Sequence, residues 1–115
     1  MEFSEHEVKE IMYQAISAIA FLHKSNLMHR DVKPENFLVV SNEDGGPVSR
    51  SVFSIGIKLA DFGLVRSYKD GRTNPFTDYV STRWYRSPEL CFRSTNYNEK
   101  IDVYALGCTM AELFL

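Results

Sequence analysis

The chain has 115 residues, of which 44% are hydrophobic and 13% aromatic, so we expect one small globular domain. Its formal net charge of -2 provides no basic stripe, which excludes nucleic acid and an anionic membrane surface as predicted partners. Cys91 and Cys108 belong to no ligand cluster, no signal peptide is recognisable, and no apolar run is long enough to span a bilayer. We therefore expect a soluble, intracellular protein without disulfides.

The first predicted element is an amphipathic helix over about residues 4–23. Ser4 is followed three positions later by Glu7, which fits a capping box. The apolar residues that recur at helical spacing are Val8, Ile11, Met12, Ala15, Ile19 and Leu22. We interpret this stripe as core packing. His6 and His23 have no companions with metal-ligand spacing, so we interpret them as solvated or capping histidines.

The segment 29–36 is rich in side chains that could take part in chemistry. It contains the carboxylate of Asp31, the amine of Lys33 and the carboxamide of Asn36, and Pro34 prevents a continuous helix through them. We therefore expect a loop that directs these polar groups towards one point. Such a loop suits a reaction that moves charge between oxygen atoms.

Short strands are predicted on both sides of a turn-rich connection. Leu27 and Met28 form an extended piece before the loop, and residues 37–40 form a strand after it. Residues 41–47 are a dense cluster of turn formers, and no Gly-Lys-Ser/Thr follows their glycines, so a P-loop is excluded. Residues 55–60 are the predicted returning strand, which leads to Asp61-Phe62-Gly63.

The next stretch, residues 64–79, is polar and weakly periodic, and we expect it to be a mobile segment. It ends in Thr77-Asp78-Tyr79, and Ser87-Pro88-Glu89 follows a few residues later. The last predicted element is a helix over residues 101–115 that is apolar nearly all round. A helix of that kind is normally enclosed by protein. We therefore expect the chain to be part of a larger structure.

Three of these stretches together resemble the protein kinases. Residues 29–36 resemble the catalytic loop, Asp61-Phe62-Gly63 the magnesium-binding motif, and Ser87-Pro88-Glu89 the Ala-Pro-Glu element, in the right order and at plausible spacing. The resemblance covers residues 1–115 and implies an α+β, mainly helical, partial protein-kinase-like fold with short β-hairpins around the catalytic loop. It would run from the fifth helix of the carboxy-terminal lobe to the central buried helix. The amino-terminal lobe, with its glycine-rich loop, lysine and glutamate, is absent from the 115 residues, as is the rest of the carboxy-terminal lobe.

The resemblance assigns a catalytic role to Asp31, Lys33 and Thr82. Asp31 would orient the substrate hydroxyl and accept its proton, and Lys33 would offset charge on the transferring phosphoryl group. Thr82 would bond both side chains. The implied cofactors are ATP and Mg²⁺, the metal being held by Asn36 and Asp61, whose oxygens are hard ligands. Each of these residues also has an ordinary alternative role as a turn former or a solvated side chain.

Further residues are assigned by the same resemblance. The side chains that contact the nucleotide would be those of Lys33, Glu35, Asn36, Leu38 and Asp61, together with Ala60, although core packing explains Leu38 and Ala60 equally well. His29 would be a scaffold residue. Asp102 would anchor the backbone of the catalytic loop around His29 and Arg30.

The activation segment implies a narrower family. Lys33, two residues after Asp31, is typical of serine/threonine kinases, which the chain therefore resembles. The stretch that begins at Thr77 resembles the group of mitogen-activated and cyclin-dependent kinases, and within it most closely the male germ cell-associated and intestinal cell kinase subfamily. Thr77 and Tyr79 would be activating phosphorylation sites, since each phosphate adds about -1.5 to -2 charge. The arginines that would receive the phosphates are Arg30 and Arg66 for Thr77, and Arg83 and Arg86 for Tyr79.

The resemblance also implies partners and a location. The substrates would be proteins with serine or threonine followed by proline, a preference to which Arg86 contributes, and an upstream kinase would activate the protein. The implied location is the cytoplasm or the nucleus, and the resemblance to the subfamily also implies the cilium. Because half of the nucleotide site is missing from the 115 residues, we expect the isolated chain to be inactive. The alternative function is a non-catalytic partial lobe that binds or regulates other proteins.

Overall fold

The computed structural model describes residues 3–41, 55–68, 76 and 81–115. Helix α1 spans Glu5–Lys24, one residue from the predicted bounds at each end. Its start is the predicted capping box: Glu7 N donates to Ser4 Oγ at 3.2 Å, and Ser4 N donates to Glu7 Oε2 at 2.8 Å. The six predicted stripe residues are the buried residues of this helix, which confirms the helical periodicity.

Two small antiparallel sheets flank residues 29–36, the loop that resembles the catalytic loop of kinases. Strands β2 (Phe37–Ser41) and β3 (Ile55–Leu59) form the predicted hairpin, in the register that pairs Phe37 with Leu59. Strand β1 (Leu27–Met28) pairs with β4 (Arg66–Ser67). The strand β4 lies in the stretch that the sequence predicted to be a loop. Two residues carry no periodicity, so only the pairing with β1 defines them as a strand.

The remaining elements in the described part of the chain are helical. A 3₁₀ turn spans Pro34–Asn36, another spans Arg83–Tyr85, α2 spans Pro88–Cys91, and α3 spans Lys100–Leu113. The predicted α+β, mainly helical architecture is confirmed. Residues 42–47 of the predicted turn and most of the predicted mobile segment lie outside the described residues.

Helix α3 is buried on one face only. The buried residues are Ile101, Asp102, Ala105, Leu106 and Thr109. On its other face Val103 is 57% exposed and Met110 is also exposed, next to an apolar cleft of about 280 Å³ between α1 and α3. Among the described residues, α1 and the turn Arg83–Tyr85 are the elements that make extensive contacts with it, and they do not enclose the helix on all sides as predicted.

The core consists of two clusters. The larger lies between α1, α3 and the catalytic-loop segment, and its buried residues are Val8, Met12, Ala15, Ile19, Leu22, Val32, Tyr85, Ala105 and Leu106. The smaller one contains Met28, Phe76, Leu90, Tyr97 and Ile101. Cys91 and Cys108 are not disulfide-bonded, as predicted. Among the described residues, no helix has the length and apolar character needed to cross a membrane.

Candidate active site

One buried carboxylate on α3 holds the backbone of the loop 29–36. Asp102 is 1% exposed, and its Oδ2 accepts the N–H of His29 at 2.8 Å while its Oδ1 accepts the N–H of Arg30 at 3.0 Å. These contacts are the ones predicted for Asp102. Arg30 adopts φ 71, a left-handed conformation that is unfavourable by about 1–2 kcal/mol outside glycine. The two hydrogen bonds to a buried charge offset this strain.

A second group on the same carboxylate was not predicted. His23 Nε2 lies 2.9 Å from Asp102 Oδ2, so the prediction of a solvated or capping role for His23 is wrong. The two residues are 79 positions apart in sequence, and nothing in the local pattern at the end of α1 indicates the contact. His6, by contrast, is an exposed residue that pairs with Glu10 on the helix surface.

His29 connects the loop to the segment before Asp61. Its Nδ1 accepts the N–H of Asp31 at 3.2 Å, so the ring carries its proton on Nε2, which donates to the carbonyl of Ala60 at 3.0 Å. The ring is fully buried and also makes an edge contact with Phe62 at 5.7 Å between centroids. Because both ring nitrogens are engaged with backbone, the geometry supports a scaffold role for His29.

Asp31, Lys33 and Thr82 form one hydrogen-bonded cluster. Thr82 Oγ1 donates to Asp31 Oδ1 at 3.3 Å and accepts from Lys33 Nζ at 2.9 Å. Lys33 Nζ lies 3.9 Å from Asp31 Oδ2. A carboxylate and an ammonium are therefore directed at the same space, where one could accept a proton and the other could stabilise negative charge. Thr82, which lies 51 positions from Asp31 in sequence, keeps the two at fixed separation.

Asn36 and Asp61 are brought together by a backbone hydrogen bond. Asn36 Nδ2 donates to Asp31 O at 2.7 Å, which leaves the amide oxygen as its possible metal ligand. Ala60 N donates to Asn36 O at 2.7 Å, and this hydrogen bond places the next residue, Asp61, beside Asn36. Asp61 adopts φ 57 and accepts the N–H of Gly63 at 3.3 Å. A Cβ at Gly63 would lie only 3.3 Å from Asp61 Oδ1, which favours glycine there.

These donors fit magnesium bound together with nucleotide phosphates. Among the described residues, no group of three or more His, Cys, Asp or Glu side chains could hold a metal ion. Mg²⁺ is typically bound by one or two carboxylates plus phosphate and water oxygens, so Asn36 and Asp61 could supply the protein's share of its ligands. Glu35 and Leu38, which are also predicted to contact nucleotide, are not part of the hydrogen-bonded cluster of Asp31, Lys33 and Thr82. Leu38 is 53% exposed, which argues against core packing, and the Glu35 side chain is 81% exposed, 4.0 Å from Lys33.

The four predicted phosphate-receiving arginines lie in two places. Arg30 Nε donates to the carbonyl of Leu64 at 2.6 Å, and the Arg66 guanidinium stacks over the Phe76 ring at 4.7 Å. The structure thus brings Arg30 and Arg66 to the β1–β4 side of the loop.

Arg83 and Arg86 belong to the turn after Thr82, where Arg83 is exposed and Arg86 donates through Nε and Nη2 to the carbonyl of Ser81, both at 3.2 Å. The predicted phosphorylation sites Thr77 and Tyr79 lie outside the described residues.

The same turn is tied to the end of α3 by a contact that the sequence did not indicate. Tyr85 Oη donates a short hydrogen bond to Glu112 Oε2. Burial is the largest cause, and this hydrogen bond the second, of a pKa for the Tyr85 phenol that is well above its usual range. Tyr85 therefore remains a hydrogen-bond donor at physiological pH. This bond fixes the backbone that carries Thr82 and Ser81.

Comparisons with known proteins show the family of the chain. Residues 1–115 match the family model described as protein kinase domain. The chain is 47% identical over 112 residues to serine/threonine-protein kinase ICK of Rattus norvegicus, covering 97% of this chain and 16% of that protein. It is 45% identical over 113 residues to serine/threonine-protein kinase MAK of Homo sapiens, covering 98% and 16%. It is 44% identical over 112 residues to cyclin-dependent kinase F-3 of Oryza sativa subsp. japonica, covering 97% and 22%. The chain therefore spans less than a quarter of the length of these relatives.

Proposed function

The chain belongs to the protein kinase family, in the subfamily of the serine/threonine-protein kinases ICK and MAK, and on that premise we propose that the protein containing it is an ATP-dependent serine/threonine kinase. The observation that carries the proposal is the cluster of Asp31, Lys33 and Thr82 beside Asn36 and Asp61. The product would be a phosphorylated serine or threonine on a protein substrate. The cofactors would be ATP and Mg²⁺.

The residues of the cluster would divide the work of phosphoryl transfer. Asp31 orients the substrate hydroxyl and accepts its proton as the oxygen attacks the γ-phosphorus, while the bond between that phosphorus and the β-phosphate oxygen breaks and ADP leaves. Lys33 stabilises the negative charge on the transferring group, and Thr82 keeps its ammonium close to the carboxylate of Asp31 without a direct hydrogen bond between them. Asn36 and Asp61 hold the magnesium ion, which when bound neutralises phosphate charge. Transfer then needs mainly positioning, which these hydrogen bonds supply.

A preference for proline after the phosphorylated residue is supported by Ser81. This residue adopts φ 69, and its carbonyl accepts two hydrogen bonds from Arg86. This carbonyl is therefore engaged with Arg86 and not available to a bound substrate. If the substrate lies against it, the residue that follows the phosphorylated serine or threonine would have no hydrogen-bond partner for its backbone N–H. Proline has no N–H and would lose nothing. We therefore propose that proline is favoured there because it avoids an unsatisfied donor.

Activation by phosphorylation of Thr77 and Tyr79 is part of the proposal. Arg30 is 8% exposed, and among the described residues no carboxylate lies within 4 Å of its guanidinium. A buried cation without an anionic partner is unfavourable. A phosphate on Thr77 would supply that charge through paired, charge-assisted hydrogen bonds. An upstream kinase would add it, and Arg83 and Arg86 would receive the phosphate on Tyr79.

The proposal includes an intracellular location, in cytoplasm, nucleus or cilium. It also includes the inactivity of the 115 residues by themselves, because they contain no glycine-rich loop or strand lysine for the nucleotide phosphates.

The experiment is a transfer assay with the full-length protein and three peptides that differ only in the residue after the acceptor serine. Asp31→Asn should lower kcat by roughly 10²–10⁴-fold, while Glu5→Gln on the exposed surface of α1 leaves it unchanged. A peptide with proline should be preferred by about tenfold over one with alanine, and N-methylalanine should behave like proline because it also lacks the N–H. Full activity of Asp31→Asn would overturn the catalytic role of Asp31, and absence of transfer by the wild-type protein would overturn the kinase assignment. If N-methylalanine behaves like alanine, the missing N–H is not the cause of the preference.

A further inference from the structure

Gln14 is a half-buried residue of α1 whose side chain contacts the backbone of strand β3. Its Oε1 accepts the N–H of Ile57 at 2.9 Å, across 43 positions of sequence. Its Nε2 lies 3.5 Å from the carbonyl oxygen of Glu10, one turn earlier on the helix. Only the oxygen of a carboxamide can accept a hydrogen bond from an N–H, so these two contacts determine which way the amide faces.

The N–H of Ile57 is directed away from the hairpin. Strands β2 and β3 are antiparallel, with Val39 opposite Ile57, and Ala60 N donates to Asn36 O at 2.7 Å. Along an antiparallel strand, successive N–H groups point alternately towards the partner strand and away from it. Ile57 lies three residues before Ala60, so its N–H points out of the hairpin. Gln14 thus supplies an acceptor on the edge of β3 that faces away from β2.

The open end of this hairpin carries both proposed metal ligands. Asn36 directly precedes β2, and Asp61 follows two residues after β3 ends at Leu59. Ile57 lies four residues before Asp61, which is about 13 Å along an extended strand. The apolar contacts between the hairpin and α1 are non-directional, whereas a hydrogen bond fixes one atom of the strand to one atom of the helix. The contact with Gln14 therefore sets where β3 lies along α1.

We propose that Gln14 is a positioning residue for the metal site, which holds β3 on α1 and thereby keeps the Asp61 carboxylate beside Asn36, where both can bind magnesium. This inference rests on the proposed function, in which these two residues hold the metal. The loop that carries Asp31 is held by a different contact, because its backbone is bonded to Asp102 on α3. Loss of the Gln14 contact should therefore weaken binding of the magnesium–nucleotide complex and leave binding of the peptide substrate unchanged.

The test compares the full-length wild-type protein with Gln14→Met, Gln14→Glu and Ser17→Ala. Methionine is of similar length but has no oxygen to accept the N–H, glutamate keeps an acceptor, and Ser17 is an exposed residue of the same helix. Gln14→Met should weaken MgADP binding roughly threefold to tenfold in isothermal titration calorimetry, without changing the affinity for ADP in EDTA or the KM for the peptide. Gln14→Glu and Ser17→Ala should bind MgADP like the wild type. In the nucleotide-free protein, amide exchange at Ile57 should become faster in Gln14→Met and stay slow in the other two variants.

The same measurements can overturn the inference. Equal weakening of ADP binding with and without magnesium would mean that Gln14 only stabilises the fold, and equal weakening in Gln14→Met and Gln14→Glu would mean that its acceptor oxygen is not what matters. Should Gln14→Met fail to fold, Gln14→Asn takes its place with the same expectations, because its amide is one methylene shorter and does not reach Ile57. A wild-type protein that neither binds MgADP nor transfers phosphate would reject the proposed function itself. A wild type that does both, with unchanged MgADP binding in Gln14→Met, would reject the positioning role alone.

Discussion

The loop around Asp31 and the turn around Asp61 lie next to each other, but the chain holds them differently. The N–H groups of His29 and Arg30 are bonded to the buried carboxylate of Asp102, and the His29 ring is fully enclosed. Residues 61–64 are exposed, and the Asp61 carboxylate is held only by the N–H of Gly63 among its hydrogen bonds in the described part of the chain.

This difference separates the two parts of the proposed chemistry. Asp31, which would accept the proton, is oriented by the core of this chain. Asp61, which would bind the metal, is aligned with Asn36 at its backbone but has an accessible side chain. Local stability follows the number of buried contacts and protected hydrogen bonds. We therefore expect amide hydrogen exchange to be slow at residues 29–31 and fast at 62–64, with the turn becoming protected when magnesium and nucleotide bind.

Removal of the Asp102 carboxylate should have the largest effect on this difference. Asp102→Ala leaves two buried backbone donors and His23 without their acceptor, so the opening free energy of the loop should fall by about 3 kcal/mol. Exchange at residues 29 and 30 should become roughly a hundredfold faster, while exchange at 62–64 stays fast. Lys9→Ala, which breaks an exposed ion pair with Glu5, is the matched control and should change neither. Slow exchange that persists at residues 29 and 30 would show that Asp102 does not hold the loop.

Loss of the Tyr85 hydroxyl should have an intermediate effect, which depends on pH. Burial and the bond to Glu112 raise the pKa of Tyr85 in the folded state above the usual tyrosine value of about 10. Its stabilising contribution is therefore fully present below about pH 10 and is lost as the pH rises further, when the unfolded phenol ionises first. Tyr85→Phe should cost about 1 kcal/mol near neutral pH.

The measurement for Tyr85 is the melting temperature of wild type and variant between pH 7 and pH 11. The difference between the two should shrink as the pH rises above about 10. A difference that is constant across the range would contradict the raised pKa. Tyr13→Phe, at an exposed position on α1, serves as the control for the loss of a tyrosine hydroxyl.

Substitution of Asp61 should have the smallest effect on stability and still abolish nucleotide-dependent behaviour. Asp61→Asn changes an exposed side chain, so the melting temperature of the protein alone should correspond to a change within about 0.5 kcal/mol. The protection of residues 62–64 by magnesium and nucleotide should disappear, and chelation of magnesium should have the same result in the wild type. Protection that survives in Asp61→Asn would show that this carboxylate is not a metal ligand.

Much of the site could be predicted from sequence because its signals are local. The loop 29–36 and Asp61-Phe62-Gly63 each lie within a few residues, and strands β2 and β3 bring them together by a simple hairpin. The helix α1 was predicted to within one residue at each end because its cap and its apolar spacing are properties of neighbouring residues. The family followed from these motifs together with Ser87-Pro88-Glu89, the subfamily followed from the stretch that begins at Thr77, and both are confirmed by the comparisons.

The sequence by itself thus determined the two long helices, the hairpin strands β2 and β3, the family and the identity of the chemical groups. Only the tertiary structure decided which other distant groups are in contact: His23 with Asp102, Tyr85 with Glu112, and Arg66 and Tyr97 with Phe76. It also decided the left-handed backbone at Arg30 and Ser81, where hydrogen bonds to Asp102 and from Arg86, respectively, accompany a φ that is against the residues' own preference. Local sequence patterns reflect the conformational preferences of neighbouring residues. The contacts between distant residues depend instead on which surfaces are buried against each other when the chain folds.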